Sequence, residues 1–221
     1  MMTIRTLTTK SSGITSAIFT RSIYLHKGPR IEGLKRDPES VFVSPKGTKY
    51  GVNEVNIVNI KNFLGEKYAI PDEVALQVIT HKSFGNGIKP YNEKLHIMGS
   101  KLLSLFFVKH VTNPKSTDNT RAIEGKNLDV LGSPISKELV GLKTAGNFAK
   151  LNKLNDVMFW KSANSTLGFE SSGEMRVSGQ MLNALVGAVN FYHGKEKAEQ
   201  FINEKLVDGF ENISINSVSS M

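Results

Sequence analysis

Asn92-Glu93-Lys94-Leu95-His96-Ile97-Met98-Gly99-Ser100-Lys101-Leu102-Leu103 decides how this chain of 221 residues is read. Asn92 can cap a helix, and Glu93 places a negative charge in its first turn, where the helix dipole favours it. Leu95, Met98, Leu102, Leu105 and Phe106 then recur at three- and four-residue spacing, one apolar stripe of a helix running to about His110. Ile97, Leu103, Phe107 and Val108 add apolar groups elsewhere around it, which predicts a helix central to its fold.

The flanking sequence is helical as well. Val55, Ile57, Val58, Ile60, Phe63 and Leu64 predict a short buried helix ending near Gly65. Pro71-Asp72-Glu73 predicts the start of another, with Val74, Leu76, Val78 and Ile79 as its apolar face. Gly85-Asn86-Gly87 interrupts it. Further helices are expected over Ser136 to about Leu151, Glu174 to Tyr192, and Lys195 to about Val207, with a loop over 162–173 and a disordered polar tail over 211–221. No strong strand, hairpin or repeat signal competes, so the fold class is all-α.

Composition bounds the function. Apolar residues make up 39% and charged residues 22%, a mix that suits a soluble core. No apolar run approaches the roughly 20 residues needed to span a bilayer. The net charge of +8 and the pI of about 9.5 favour a polyanionic partner, nucleic acid first. With no cysteine, disulfides, thiolate zinc sites and cysteine nucleophiles are excluded.

The first acidic residue is Glu32, and Arg5, Lys10, Arg21, Lys27 and Arg30 precede it among many Ser and Thr. Residues 1–26 therefore read as a mitochondrial transit peptide cut near Ile23 or Tyr24, or as a basic tail that is retained. Residues 27–50 carry Pro29, Pro38 and Pro45 with Lys27, Arg30, Lys35, Arg36, Lys46 and Lys49. They read as an extended basic segment, either following RNA phosphates or serving as a linker. Those six side chains are the candidate RNA contacts. The compact domain is expected over 51–210.

Three segments carry a family resemblance. Asn92 to Leu103 resembles the ribonuclease III signature N-E-R-L-E-F-L-G-D-S-V-L. Leu76-Gln77-Val78-Ile79-Thr80-His81-Lys82-Ser83 is similar to that family's L-x-A-L-T-H-x-S segment. Gln180-Met181-Leu182-Asn183-Ala184-Leu185-Val186-Gly187-Ala188 is similar to its D-x-x-E-A-L-I-G-A helix. The three occur in the family's order. The resemblance implies a ribonuclease III-like endonuclease domain, here without the double-stranded RNA-binding domain that usually follows it.

The family hydrolyses double-stranded RNA with magnesium held by four carboxylates, because a hard cation prefers anionic oxygen. Carried over by position, those four places are His96, Ser100, Gln180 and Asn183. None is a carboxylate, so no catalytic residue, metal or cofactor is expected. Glu93 is retained, and its expected role is a first-turn acid. His81 is expected to hydrogen-bond structurally rather than act as a base.

The family dimerises with its signature helices near the shared interface, where an aromatic stands at the position of Ile97. Ile97 is thus the candidate interface residue, with altered shape. In sum, the chain resembles the ribonuclease III-like proteins of the fungal mitochondrial large ribosomal subunit. That group implies a non-catalytic structural component in the mitochondrial matrix. It would contact large-subunit ribosomal RNA, a second ribonuclease III-like ribosomal protein as heterodimer partner, and other ribosomal proteins. A non-catalytic mitochondrial RNA-processing or ribosome-assembly factor is the other reading.

Overall fold

The computed structural model describes residues 42–44, 46–113, 122–126, 128–162 and 166–219. The transit-peptide reading of 1–26 and four of the basic candidates, Lys27, Arg30, Lys35 and Arg36, lie outside these. Seven helices make up the described fold: α1 Glu54–Leu64, α2 Asp72–Val78, α3 Glu93–Thr112, α4 Pro134–Leu139, α5 Leu142–Leu151, α6 Glu174–Lys205 and α7 Val207–Ser219. Short 3-10 turns lie at Glu66–Tyr68, Phe84–Gly87 and Asp129–Gly132. Among the described residues there are isolated β-bridges but no strand, and no helix is long and apolar enough to cross a membrane. The all-α expectation holds.

The central helix is α6, not the signature helix α3. Ser178, Gly179 and every residue from Met181 to Val189 are buried. On α3 the buried residues are Gly99, Leu102, Leu103, Phe107 and Thr112, while Leu105 is exposed and Leu95, Met98 and Phe106 are half-buried. The inward stripe is therefore rotated from the expected one. Glycine sets the rotation. A Cβ built on Gly99 would lie 1.8 Å from the carbonyl oxygen of Asn183, and one on Gly187 would lie 2.1 Å from that of Leu95. The two helices cross backbone to backbone, which forces the Gly99 side of α3 inward. A second crossing repeats the device between α5 and α6. Cβ atoms on Gly146 and Gly179 would meet the carbonyls of Met175 at 2.2 Å and Leu142 at 2.5 Å.

Aromatic rings join the layers. Phe210 of α7 stacks on Phe107 of α3 at 5.5 Å and tilts against Phe148 of α5 at 5.3 Å. Phe63 of α1 meets Phe148 and Phe201 edge-on, both at 6.0 Å. Burying Phe107, Phe148, Phe201 and Phe210 is worth about 1.5–3 kcal/mol each.

Several boundaries differ from the expectation. The polar tail is helix through Ser219, because Phe210 is buried against Phe107 of α3 and Phe148 of α5 and Ile213 packs against the core. The expected helix from Ser136 to Leu151 is two helices, broken at Gly141, whose backbone is extended (φ −73, ψ 146). Ser133 caps the first by accepting from the Ser136 N–H at 3.2 Å. The break between Tyr192 and Lys195 falls at Gly194, in a left-handed conformation (φ 82) that favours glycine.

The described part of 27–50 is packed rather than extended. Val43 and Lys49 pair as an antiparallel bridge. Tyr50 stacks on Phe84 at 5.6 Å and meets Phe159 edge-on at 5.1 Å. Phe42 tilts against Phe84 at 6.3 Å, with the Lys89 ammonium 4.5 Å over its ring.

Candidate functional site

The site is built on the chain crossing between α2 and α3. Beyond α2, Phe159 and the backbone of Ile79–His81 run side by side. The Phe159 N–H donates to the Ile79 carbonyl at 2.9 Å, and the His81 N–H donates to the Phe159 carbonyl at 2.8 Å. Thr80 is fully buried and its hydroxyl donates to the Leu76 carbonyl at 2.7 Å. Asn92 occupies the N-cap position of α3 without a side-chain cap bond. Its amide instead donates to the Val78 carbonyl at 2.9 Å, and its N–H donates to the Thr80 carbonyl at 2.9 Å. Asn92 thus ties the end of α2 to the start of α3, which corrects its expected capping role.

His81 is held by Ser83. The Ser83 N–H donates to His81 Nδ1 at 3.2 Å, and the Ser83 hydroxyl lies 2.9 Å from the same nitrogen. Because Nδ1 accepts, the ring proton of neutral His81 sits on Nε2, where it can donate to the Gln180 side chain. The Lys161 N–H donates to the Ser83 hydroxyl at 2.9 Å, closing the cluster. His81 therefore has the structural hydrogen-bonding environment its position suggested. Ser83 and Lys161 were not singled out in the sequence, and their role comes from a contact 78 residues away in the chain.

His81, Lys82, Asn92, Glu93, His96 and Gln180 line a pocket of about 40 Å³, room for one or two water molecules. Burial pushes both imidazoles below the usual histidine range. At His81, Lys82 adds to that effect while the Gln180 bond and Glu93 oppose it; at His96, Glu93 opposes it. Burial thus favours the neutral form of both rings. His96 Nδ1 is buried without a hydrogen-bond partner. Glu93 pairs with Lys82 at 2.6 Å, and that bond holds its carboxyl below the usual range. The pocket's formal charges cancel.

His96 and Gln180 are thus brought together. Ser100 and Asn183 do not line this pocket. The Ser100 hydroxyl donates to the Ile97 carbonyl at 2.9 Å within its own helix. Asn183 is buried where its carbonyl meets Gly99. As a donor set the four positions offer an imidazole, a hydroxyl and two amides, none anionic, and this does not fit magnesium. Among the described residues, no group of three or more His, Cys, Asp or Glu side chains could hold a metal ion.

Ile97 is 55% exposed and shares an outer face of α3 with exposed Lys101, Leu105 and Val108. Lys46 and Lys49 are both exposed. The Lys46 ammonium donates to the Asp156 carbonyl at 3.1 Å, and the Lys49 carbonyl accepts from the Asn56 amide at 3.1 Å.

An all-helical domain with the α3–α6 crossing defines a class. A family model described as ribonuclease-III-like matches residues 71–210, and the chain belongs to that family. The nuclease domain of ribonuclease III from Campylobacter jejuni is similar in structure, with a TM-score of 0.51 and 23% identity over 70% of this chain and 99% of that one. At that identity the likeness shows the fold alone. In sequence, the chain is similar to large ribosomal subunit protein mL57 of Schizosaccharomyces pombe, 25% identical over 151 residues. That match covers 65% of this chain, which spans 64% of that relative's length. The resemblance to the ribonuclease III-like ribosomal proteins is borne out.

Proposed function

We propose that this protein is a structural constituent of the mitochondrial large ribosomal subunit, resident in the matrix, whose ribonuclease III-like domain does not cleave RNA. The observation that carries the reading is its similarity to a protein named as a large-subunit component. The site supports it. The positions that resemble the family's metal ligands are His96, Ser100, Gln180 and Asn183, and a neutral set cannot hold magnesium against a phosphodiester. On this reading the protein acts by holding ribosomal RNA and neighbouring proteins in place.

Its RNA contacts are basic side chains meeting phosphates, with Lys27, Arg30, Lys35, Arg36, Lys46 and Lys49 as candidates. Its principal protein partner is a second ribonuclease III-like ribosomal protein. The exposed apolar face of Ile97, Leu105 and Val108 supports such a partner.

Co-sedimentation tests the proposal. A structural constituent stays with mature mitochondrial large subunits through a high-salt wash. Recovery only on precursor particles would instead favour an RNA-processing or assembly factor. Robust magnesium-dependent cleavage of long duplex RNA by the purified chain would sink the non-catalytic reading.

A further inference from the structure

A second cavity, of about 200 Å³, opens beside the first turn of α6. It shares no lining residue with the His96 pocket. Its volume is below the ~300–1,000 Å³ of sites for drug-sized ligands, which limits an occupant to about one flat heterocycle. Its composition is specific. Met158 and Trp160 supply apolar surface, with Leu167 at the edge. The polar lining comprises Glu174, Asn155 and Lys46 with the smaller Ser162 and Ser172. Asn155 is buried, and its amide donates to Glu174 Oε1 at 3.1 Å, which orients the carboxylate. Each carboxylate oxygen can accept two hydrogen bonds, so this bond leaves both oxygens able to receive a ligand's donors. Lys46 is exposed. Its ammonium is steadied by the Asp156 carbonyl at 3.1 Å and has two further protons to donate.

We propose that this cavity binds one unpaired guanine of an RNA strand. The proposal rests on the RNA-contact reading above and gives it a specific site. Trp160 offers the aromatic surface on which an unpaired base stacks. The Glu174 carboxylate accepts from the N1–H and N2–H groups of guanine. Of the four RNA bases, only guanine sets two adjacent donors on its pairing edge. Adenine, cytosine and uracil each put an acceptor beside their donor and would face the carboxylate with a lone pair. Lys46 meets the phosphate of the same nucleotide. The positive charge of Lys46 also disfavours the main competing occupant, an arginine side chain from a protein.

Trp160 is the only tryptophan in the chain, so its fluorescence reports on this cavity directly. The full-length protein is titrated with GMP, with AMP, and with short single-stranded RNAs that differ only in carrying one G or one A. The expected result is saturable quenching by the G-containing RNA, weaker quenching by GMP, and at least about tenfold weaker binding of both adenine counterparts. Glu174→Gln removes the preference for G over A. Lys46→Ala weakens the RNA while keeping the preference, a second readout should Glu174→Gln melt early. No response of Trp160, equal binding of G and A, or an unchanged preference in Glu174→Gln overturns the proposal. Equal affinity for GMP and the G-containing RNA overturns the RNA as the source of the base. Co-sedimentation with the large subunit is scored separately, so losing this site and losing the ribosomal role give different results.

Discussion

The crossing of α3 and α6 and the pocket one turn from it both use these helices, the pocket adding His81 and Lys82 from the segment beyond α2, and they follow different rules. At the crossing, Gly99 and Gly187 bring backbone against backbone, and the nearest atoms are carbonyls that cannot move aside. In the pocket, His96 and Gln180 meet His81, Lys82, Asn92 and Glu93 around a small polar space. Packing of the first kind leaves no latitude, since even one methyl group has nowhere to go. A polar pocket of about 40 Å³ accepts different side chains if they are neutral or paired. Backbone contact therefore constrains these helices more tightly than the pocket constrains its side chains.

The crossing is the point most sensitive to substitution. Gly99→Ala sets a methyl 1.8 Å from the Asn183 carbonyl, and we expect a loss of about 3 kcal/mol or more. Urea denaturation measures it; a loss under about 1 kcal/mol would show that the helices can separate freely.

The next test rebuilds the chemistry. The combined variant His96→Glu, Ser100→Asp, Gln180→Asp and Asn183→Glu places four carboxylates at buried or partly buried positions of α3 and α6, two of them in the one pocket. In the presence of a chelator it should be less stable by on the order of 2 kcal/mol, because clustered carboxylates resist both burial and ionisation. Added magnesium should restore part of the melting temperature. An undiminished melting temperature under chelation would mean that neutrality here has no stabilising effect.

Asn92→Ala sharpens the comparison from the joint between α2 and α3. It removes the bond to the Val78 carbonyl and leaves that buried acceptor unmet, for an expected loss of about 1–3 kcal/mol. Asn92→Asp should not rescue it, because a carboxylate cannot donate to a carbonyl.

The smallest effect is with pH. His81 and His96 titrate below the ordinary value of 6.5 because they are partly buried. Between their lowered values and 6.5 the unfolded chain binds more protons than the folded one. Stability is therefore full above about pH 6.5 and falls as pH drops through that window. His96→Gln should flatten the dependence in thermal melts between pH 7.5 and 5.5. An identical profile in the variant would assign the effect elsewhere.

Much of this was legible in the chain. The spacing from Asn92 to Leu103, with Thr80-His81-Lys82-Ser83 and Gln180 to Ala188, led to the all-α fold and the four neutral positions. The inward face of α3 was not legible, because Leu95, Ile97, Leu102, Leu103, Leu105, Phe107 and Val108 leave apolar groups on several sides. Period alone cannot choose among such faces, whereas the partner's backbone chooses the one with Gly99. The helix over Val207–Ser219 was hidden for the opposite reason. Asn212, Ser214, Asn216 and Ser217 disfavour a helix locally, and burial of Phe210 against Phe107 and Phe148, with Ile213 packed against the core, overrides that preference. Likewise, the Pro- and Lys-rich stretch before Tyr50 reads as extended, while Phe42 and Tyr50 find Phe84 and Phe159 only in the folded state.

Helix periodicity, the family resemblance and the neutral residues His96, Ser100, Gln180 and Asn183 follow from residue type and spacing along one chain. Tertiary structure alone decided which face of α3 turns inward, that α6 is the centre, that Ser83 and Lys161 hold His81, and that Trp160, Lys46 and Glu174 share a cavity. Those facts depend on contacts between segments far apart in sequence, where close packing selects one arrangement from several that local preference allows equally.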